Sequence, residues 1–245
     1  MTQATTTQVR DIPVRPEVVT RSSSTAAWLP RLRRRRDEVS ASAEPWGKRV
    51  FEVSAVVLTM PLWLPVLGLL MLAVRLDSAG PACFTQQRYG RDGKVFTLWK
   101  LRSMVGDADE ALPELLASCE TRSAEWDTHA KLRRDPRLTR LGGWLRRSSL
   151  DELPQLFNVL RGEMSLVGPR PIPVEERERY GRAFSTYGQV RPGLTGLWQV
   201  SGRNELEYAQ RIALDRRYVR SRSWLMEFGI MRRTLWAVWS GRGAY

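Results

Sequence analysis

The chain has 245 residues, a length that allows one large domain or two small ones. Its 39 lysine and arginine residues against 26 acidic residues give a formal net charge of +13, which indicates an anionic partner: nucleic acid, anionic lipid or a phosphorylated substrate. Two cysteines, Cys83 and Cys119, show neither a disulfide framework nor a zinc-ligand spacing, and they fit a reducing compartment.

Residues 1–46 are polar and rich in serine, threonine and arginine, with no sustained apolar period. This composition predicts a flexible, basic N-terminal arm. The run Arg33 to Arg36 is typical either of a solvated tail or of attraction to anionic lipid headgroups. We favour the lipid interpretation because an apolar segment follows.

Residues 53–74 carry no charge, and this segment is long enough for one helix to cross a bilayer. We therefore expect a membrane helix over residues 47–76. A cleavable signal peptide fits poorly, since the apolar core is too long and no clear cleavage site follows. Pro61 and Pro65 predict a kink in mid-segment. Basic residues on both flanks favour a helix that enters the membrane and returns, but the residues alone leave a spanning helix open.

Residues 84–104 alternate and turn in the manner of a strand pair. Asp92-Gly93 is a hairpin-type turn dipeptide. Lys100 and Arg102, two residues apart, are then expected on one face of the second strand. They are interpreted as phosphate contacts, with a solvated basic edge as the alternative.

Asp107 and Asp109 form a D-x-D triplet, a pattern that many nucleotide-sugar glycosyltransferases use to hold a metal ion. They also open a helix-like stretch over residues 107–118, where acids are ordinary. Further on, residues 205–218 read as a helix. Residues 224–239 are amphipathic, and fit either a core position or the lipid headgroup layer.

The most informative stretch is residues 148–171, where Asp151 and Glu152 are adjacent and arginines flank them. Both acids are expected to be ionised because nearby positive charge favours the charged form. Ionised carboxylates beside spare guanidinium groups suit a phosphorylated substrate and a divalent cation. The alternative is a capping box from Ser149 to Glu152, which Pro154 complicates.

Three motifs carry a resemblance to a known family. They are RYGRDGKVFTLWKLRSM, SSLDELPQLFNVLRGEMSLVGPRP and PGLTGLWQVSGRN, in that order. The chain from Arg49 to Tyr245 resembles the bacterial sugar transferases that start exopolysaccharide and O-antigen assembly, the monotopic polyprenyl-phosphate phosphoglycosyltransferases.

The resemblance implies an α-dominated α+β fold in a monotopic membrane protein. Its parts would be one N-terminal re-entrant helix over residues 47–76, a small β-hairpin, surface-lying amphipathic helices and a catalytic domain over residues 77–245. That domain would lie on the cytoplasmic face of the bacterial inner membrane. Small members place a Ser-Pro pair at the kink, whereas this chain has Leu64-Pro65. Pro61 is therefore expected to contribute to the kink as well.

The resemblance also implies transfer of a sugar 1-phosphate from a UDP-sugar to polyprenyl phosphate, with release of UMP and with Mg²⁺ as cofactor. Asp151 would be the nucleophile, and Glu152 would assist the metal or a proton transfer; both are the expected metal ligands. The substrate phosphates would be contacted by Lys100, Arg102, Arg146 and Arg170. Expected partners are the UDP-sugar, polyprenyl phosphate and anionic membrane lipid, and no nucleic acid is expected. Both a monomer and a homodimer remain open.

Two other functions remain open at this point. A metal-dependent glycosyltransferase using Asp107 and Asp109 would release UDP. A non-enzymatic basic membrane adaptor would tolerate loss of both Asp151 and Glu152. The sequence does not specify the sugar; glucose and galactose are favoured over an N-acetylated sugar by the resemblance.

Overall fold

The structure is a computed structural model, and it describes residues 46–129, 132, 134–202 and 206–240. The predicted arm, residues 1–46, thus lies outside the described residues except for Trp46. Five strands and nine α-helices occur in the described ranges. In chain order they are α1 Trp46–Asp77, β1 Cys83–Tyr89, β2 Val95–Leu101, α2 Ala108–Ala117, α3 Glu120–His129, α4 Arg140–Ser148, α5 Gln155–Arg161, β3 Ser165–Val167, β4 Ile172–Pro173, α6 Arg177–Tyr180, α7 Ala183–Tyr187, β5 Gly193–Thr195, α8 Tyr208–Ser221 and α9 Trp224–Ser240.

This element content confirms a helix-dominated fold with a small sheet and one long apolar helix. The predicted hairpin is confirmed: β1 and β2 pair antiparallel with Cys83 opposite Leu101. Its turn spans Arg91–Gly93, and Asp92 adopts a positive φ of 57° there. β4 adds to the outer edge of β1, while β3 and β5 form a separate parallel pair.

The long helix α1 has 32 residues and, by length and composition, is the one helix in the described chain that suits a membrane crossing. It starts and ends one residue beyond the predicted 47–76, and the helix continues through Pro61 and Pro65. Most of its apolar side chains face outward; Leu58 is 79% exposed, for example. The sharp re-entrant bend remains a prediction.

Side-chain donors bond the turn of α1 that precedes the prolines. Each proline removes a donor to the carbonyl four residues earlier. The Thr59 hydroxyl donates to the Ala55 carbonyl at 2.7 Å, and the buried Trp63 indole donates to the Val56 carbonyl at 3.1 Å. These bonds brace the helix just before Pro61.

One narrow face of α1 packs on the protein body. Val56, Trp63, Leu67 and Val74 are buried there, against β2, α4 and α5. The partner residues are among the most buried in the described chain: Leu98, Leu101, Leu145 and Val159. Each such fully buried side chain contributes on the order of 1.5–3 kcal/mol, so this seam fixes the helix to the body.

A buried polar network ties the start of α1 to α9 and β3. The Lys48 ammonium donates to the Glu227 carboxylate at 2.8 Å and to the Val167 carbonyl at 2.9 Å. The Glu52 carboxylate accepts from the Leu166 backbone N–H at 3.0 Å and from the Ser165 hydroxyl. Buried ions in such a network are stable only while they remain paired.

The C-terminal helix α9 has two unlike faces. Met226 and Ile230 are buried against the body, which matches the predicted core position. The opposite face leaves large apolar side chains in the open, as the headgroup interpretation requires: Trp224, Leu225, Phe228, Leu235 and Trp236. Contact of this face with lipid stays a proposal.

Candidate active site

The two adjacent carboxylates lie on a tight turn between α4 and α5. After α4, Ser149 adopts a left-handed conformation with a φ of 59°, and a 3₁₀ turn spans Leu150–Glu152. A left-handed residue commonly ends a helix and redirects the chain. The turn leaves Asp151 only 6% exposed, so its carboxylate is held against the body.

The alternative capping box is wrong. Ser149 makes no side-chain capping hydrogen bond, and α5 begins only at Gln155, with Pro154 at its N-cap. Pro154 can occupy that position because no intrahelical donor is needed there. The Glu152 carboxylate instead accepts a hydrogen bond from Lys100.

Lys100 on β2 lies beside both carboxylates. Its ammonium is 2.9 Å from the Glu152 carboxylate and 3.8 Å from that of Asp151. Charge-assisted contacts of this kind favour ionised acids. The pairing places the predicted phosphate contact Lys100 within reach of whatever binds to the two acids.

Arg146 on α4 enters the site because α4 approaches the end of β2 very closely. A Cβ at Gly142 would lie 1.9 Å from the Ser103 carbonyl oxygen, so glycine permits the approach. The Arg146 Nε donates to the Ser103 hydroxyl at 2.9 Å. Burial lowers the pKa of Arg146, while the nearby Asp151 opposes that shift. Its terminal amino groups donate no hydrogen bond within the described part of the chain.

Arg170 follows β3 and lies between Pro169 and Pro171, which we expect to hold its backbone extended. Its guanidinium lies over the ring of Trp198, 5.3 Å from the centroid. Among the described residues, that guanidinium donates no hydrogen bond. Arg170 therefore has its donors available for a ligand.

Arg102 is placed differently from the other predicted phosphate contacts. Its guanidinium donates to the carbonyls of Ser78 and Ala79, at 2.6 and 2.7 Å, just beyond the end of α1. Cations commonly bond the last carbonyls of a helix. Arg102 thus ties the end of α1 to β2, and a contact to substrate phosphate remains a prediction.

A cavity of about 750 Å³ joins these groups. Apolar side chains from several elements complete its wall, among them Leu153, Leu156, Leu166, Met231 and Leu235. A concave site with six cationic and four acidic side chains and an apolar side suits an amphiphilic, anionic ligand. The charged lining comprises Arg88, Lys100, Arg102, Asp109, Asp135, Arg137, Arg146, Asp151, Glu152 and Arg170.

The family profile described as "Bacterial sugar transferase" matches residues 43–241. The chain belongs to the bacterial sugar transferase family. The resemblance that the motifs indicated is thereby confirmed.

Individual relatives agree with this assignment. The chain is 46% identical over 198 residues to an "Uncharacterized sugar transferase" of Haemophilus influenzae, covering 81% of this chain and 42% of that protein. It is 45% identical over 198 residues to "Undecaprenyl-phosphate galactose phosphotransferase" of Salmonella typhimurium, covering 81% and 41%. "Exopolysaccharide production protein ExoY" of Sinorhizobium fredii is 41% identical over 229 residues, covering 92% and 98%.

The chain thus spans about two fifths of the length of the first two relatives and nearly all of the third.

The D-x-D acids of this sugar transferase lie away from the carboxylate turn along the chain. Asp107 and Asp109 are both exposed at the start of α2, and only Asp109 lines the cavity. In the described ranges, no three metal-ligating side chains converge on one point. A protein-only metal cage is therefore not formed by these acids.

Two cationic residues of the cavity were missed from the sequence. Arg88 donates to the Pro171 carbonyl at 2.9 Å, and its Nε has no partner among the described residues. Burial and the neighbouring Arg170 lower the pKa of Arg88 to about 10, so it stays charged at pH 7. Arg137 pairs with Asp135 at 2.7 Å. Strand alternation could have indicated Arg88 from the sequence, since neighbouring residues of β1 point to opposite faces and Arg88 faces inward next to the exposed Gln87.

Proposed function

We propose that this chain transfers a sugar 1-phosphate from a UDP-sugar to undecaprenyl phosphate and releases UMP, as the first membrane step of exopolysaccharide or O-antigen assembly. One observation carries the proposal: the buried Asp151 carboxylate and the adjacent, partly exposed Glu152 carboxylate share a cavity with arginines whose donors are available. The name of the Salmonella relative supports undecaprenyl phosphate and a phosphotransfer, and that of the ExoY relative supports exopolysaccharide production.

The proposed nucleophile is Asp151. A carboxylate oxygen forms a bond to the phosphorus that bears the sugar, and the bond from that phosphorus to the bridging oxygen breaks. The electron pair leaves with UMP. A phosphate oxygen of the lipid then attacks the same phosphorus, and the bond to Asp151 breaks. Covalent catalysis of this kind divides one displacement between two anions into two easier steps.

The arginines of the cavity supply positive charge for both steps. Arg146 and Arg170 have donors available for phosphate oxygens, and Arg88 and Lys100 add charge close by. Fixed donors aimed at developing negative charge are a major source of rate acceleration. The Lys100 ammonium also keeps the Glu152 carboxylate in place beside Asp151.

Asp151 and Glu152 are the residues that we propose hold Mg²⁺. Two carboxylates suit this ion because it keeps several waters and commonly takes its remaining ligands from substrate phosphates. When bound, Mg²⁺ would offset negative charge on the donor phosphates. The two-acid donor set fits such a shared site and does not fit a protein-only cage.

The apolar helix α1 is proposed to enter the membrane, bend at Pro61 and Pro65, and leave the catalytic body on the cytoplasmic face. Its exposed apolar side chains, together with those of α9, support membrane association. A lipid phosphate lies at the depth where the helix meets the body. The cavity wall beside α9 is apolar, as a polyprenyl chain requires.

A screen of UDP-sugars against undecaprenyl phosphate tests the proposal. UMP and a lipid-linked sugar phosphate are the expected products with at least one donor, and Asp151→Asn should form neither. UDP as the only nucleotide product would favour the second candidate, a metal-dependent glycosyltransferase, for which Asp109 on the cavity wall is the supporting observation.

A further inference from the structure

Two neighbouring polar atoms near the cavity are buried without a hydrogen-bond partner. They are the indole Nε1 of Trp198 and the amide Oε1 of Gln199, both from residues that line the cavity. Trp198 is 3% exposed. Within the described part of the chain, neither atom has a partner, and unsatisfied groups of this kind need an explanation such as a ligand.

The loop that carries both residues packs closely against the segment between β3 and Arg170. The Gly168 backbone N–H donates to the Thr195 carbonyl at 2.9 Å. Added Cβ atoms at Gly193 and Gly196 would lie 2.0 and 2.2 Å from the Gly168 backbone. Only glycine permits this approach, so the positions of Trp198 and Gln199 relative to Arg170 are fixed by the backbone.

The hydrogen-bonding chemistry of the two atoms defines which ligand groups they can bind. An indole N–H can only donate. The Gln199 Nε2 already donates to the Leu194 carbonyl at 3.1 Å, so Oε1 is the side that remains, and it can only accept. A phosphate oxygen is excluded at Gln199, since two acceptors would face each other. The matching group is neutral and offers both an acceptor and a donor, as a sugar hydroxyl or the uracil imide does.

The ring faces of Trp198 argue for an edge-on contact. The guanidinium groups of Arg170 and Arg211 lie over the ring, each 5.3 Å from its centroid. Stacking of a base on Trp198 would compete with them, whereas the N–H edge remains. Arg170 is a proposed phosphate contact, and the phosphate that Asp151 attacks in the donor is bonded directly to the transferred sugar.

We propose that Trp198 and Gln199 hydrogen-bond a hydroxyl of the transferred hexose and thereby determine which sugar this enzyme accepts. The inference rests on the proposed function, because it assumes a sugar nucleotide as the donor. It assigns the sugar to the glycine-punctuated loop and leaves the phosphates to the arginines.

The test compares a UDP-hexose with its monodeoxy analogues, as ratios of kcat/KM within each variant. In the wild-type enzyme, one deoxy position is expected to lower kcat/KM about tenfold, the effect of losing a hydrogen bond to a buried group. In Trp198→Phe and Gln199→Met this ratio should fall to within about twofold. Partial loss of folded enzyme cancels from such a ratio.

Matched controls are Trp144→Phe and Gln189→Met, since both side chains are exposed and lie outside the cavity lining. Both should keep the wild-type ratio. The inhibition constant of UMP should stay unchanged in all four variants, because UMP lacks the hexose.

Two results would overturn the inference. If both Trp198→Phe and Gln199→Met keep the wild-type ratio at every deoxy position, the loop does not bind the hexose. A rise in the UMP inhibition constant that matches the fall in kcat/KM would assign the loop to the nucleoside instead. Failure of the wild-type enzyme to release UMP from any donor would contradict the proposed function itself, which is a separate outcome.

Discussion

Ser149 holds a backbone conformation that non-glycine residues rarely adopt. Its φ of 59° sets the direction of the turn that carries Asp151. A β-branched residue in this conformation costs on the order of 1–2 kcal/mol, whereas glycine adopts it freely. We therefore expect Ser149→Val to lower the midpoint of thermal unfolding and Ser149→Gly to maintain or raise it. A Ser149→Val protein as stable as the glycine variant would show that the turn is not left-handed.

Asp215 on α8 is a buried acid behind Arg170. It is 2% exposed, and the Tyr180 hydroxyl donates to it at 2.9 Å. Burial raises the pKa of Asp215 to about 7, against the stabilising effects of Tyr180 and Arg170 on the charged form. The folded protein thus binds a proton here between about pH 4 and 7 that the unfolded chain does not.

The sign of the pH dependence follows from that raised pKa. The stability that proton uptake at Asp215 contributes is fully present below about pH 4 and is lost as the pH rises through about 7. Asp215→Asn removes this pH-dependent contribution. The unfolding midpoint of the variant, measured relative to that of the wild type, should therefore rise as the pH increases from 5 to 8. The exposed control Asp109→Asn should show a constant difference. A difference for Asp215→Asn that is flat with pH would contradict the raised pKa.

The identity of the site residues was largely accessible from the sequence, whereas their individual contacts were not. Asp151, Glu152, Lys100, Arg146 and Arg170 line one cavity, as the motifs predicted. The pairing of Lys100 with Glu152 joins residues 52 positions apart, which no local pattern encodes. The use of Arg102 at the end of α1 depends on tertiary packing in the same way.

At the scale of elements, the crossing of α4 over the end of β2 positions Arg146. Gly142→Ala places a methyl group into the Ser103 backbone, an overlap that requires the helix to move. We expect at least a tenfold loss of UMP release, because Arg146 loses its place beside Asp151. Gly143→Ala is the matched control, since a Cβ added there would lie 3.6 Å from its nearest neighbour, the Arg147 guanidinium. Equal activity of the two variants would contradict the positioning role of the crossing.

Elements with strong local signals were predicted well. The hairpin follows from Asp92-Gly93 between alternating residues, and α1 follows from a long uncharged segment. The short elements β3, β4 and β5 have only two or three residues, so their strand form depends on partners distant in sequence. The left-handed Ser149 was also beyond the sequence, because glycine or asparagine is the usual residue there.

At the scale of the whole molecule, Lys48 links the long apolar helix α1 to β3 and α9. Lys48→Met leaves Glu52 and Glu227 buried without their cation, a change that costs about 3–5 kcal/mol in comparable cases. We expect a large fall in the unfolding midpoint, partly recovered in the double variant Lys48→Met with Glu227→Met. Lys94→Met, at an exposed position, is the control. No difference between Lys48→Met and that control would show that the network does not stabilise the junction.

The same junction relates the membrane to the site. The chain runs from β3, which accepts the Lys48 bond at Val167, directly to Arg170 in the cavity. Arg170, the proposed phosphate contact, therefore follows the residue that Lys48 of α1 contacts by only three positions. This arrangement fits an enzyme that brings a soluble donor to a lipid phosphate.

The most direct test of the account is mass spectrometry of the protein incubated with its UDP-sugar and no lipid acceptor. We predict a covalent hexose phosphate on the peptide that contains Asp151, formed together with one equivalent of UMP. Asp151→Asn should carry no adduct. An enzyme that makes the lipid-linked product but shows no adduct, or carries it on another residue, would contradict the central claim.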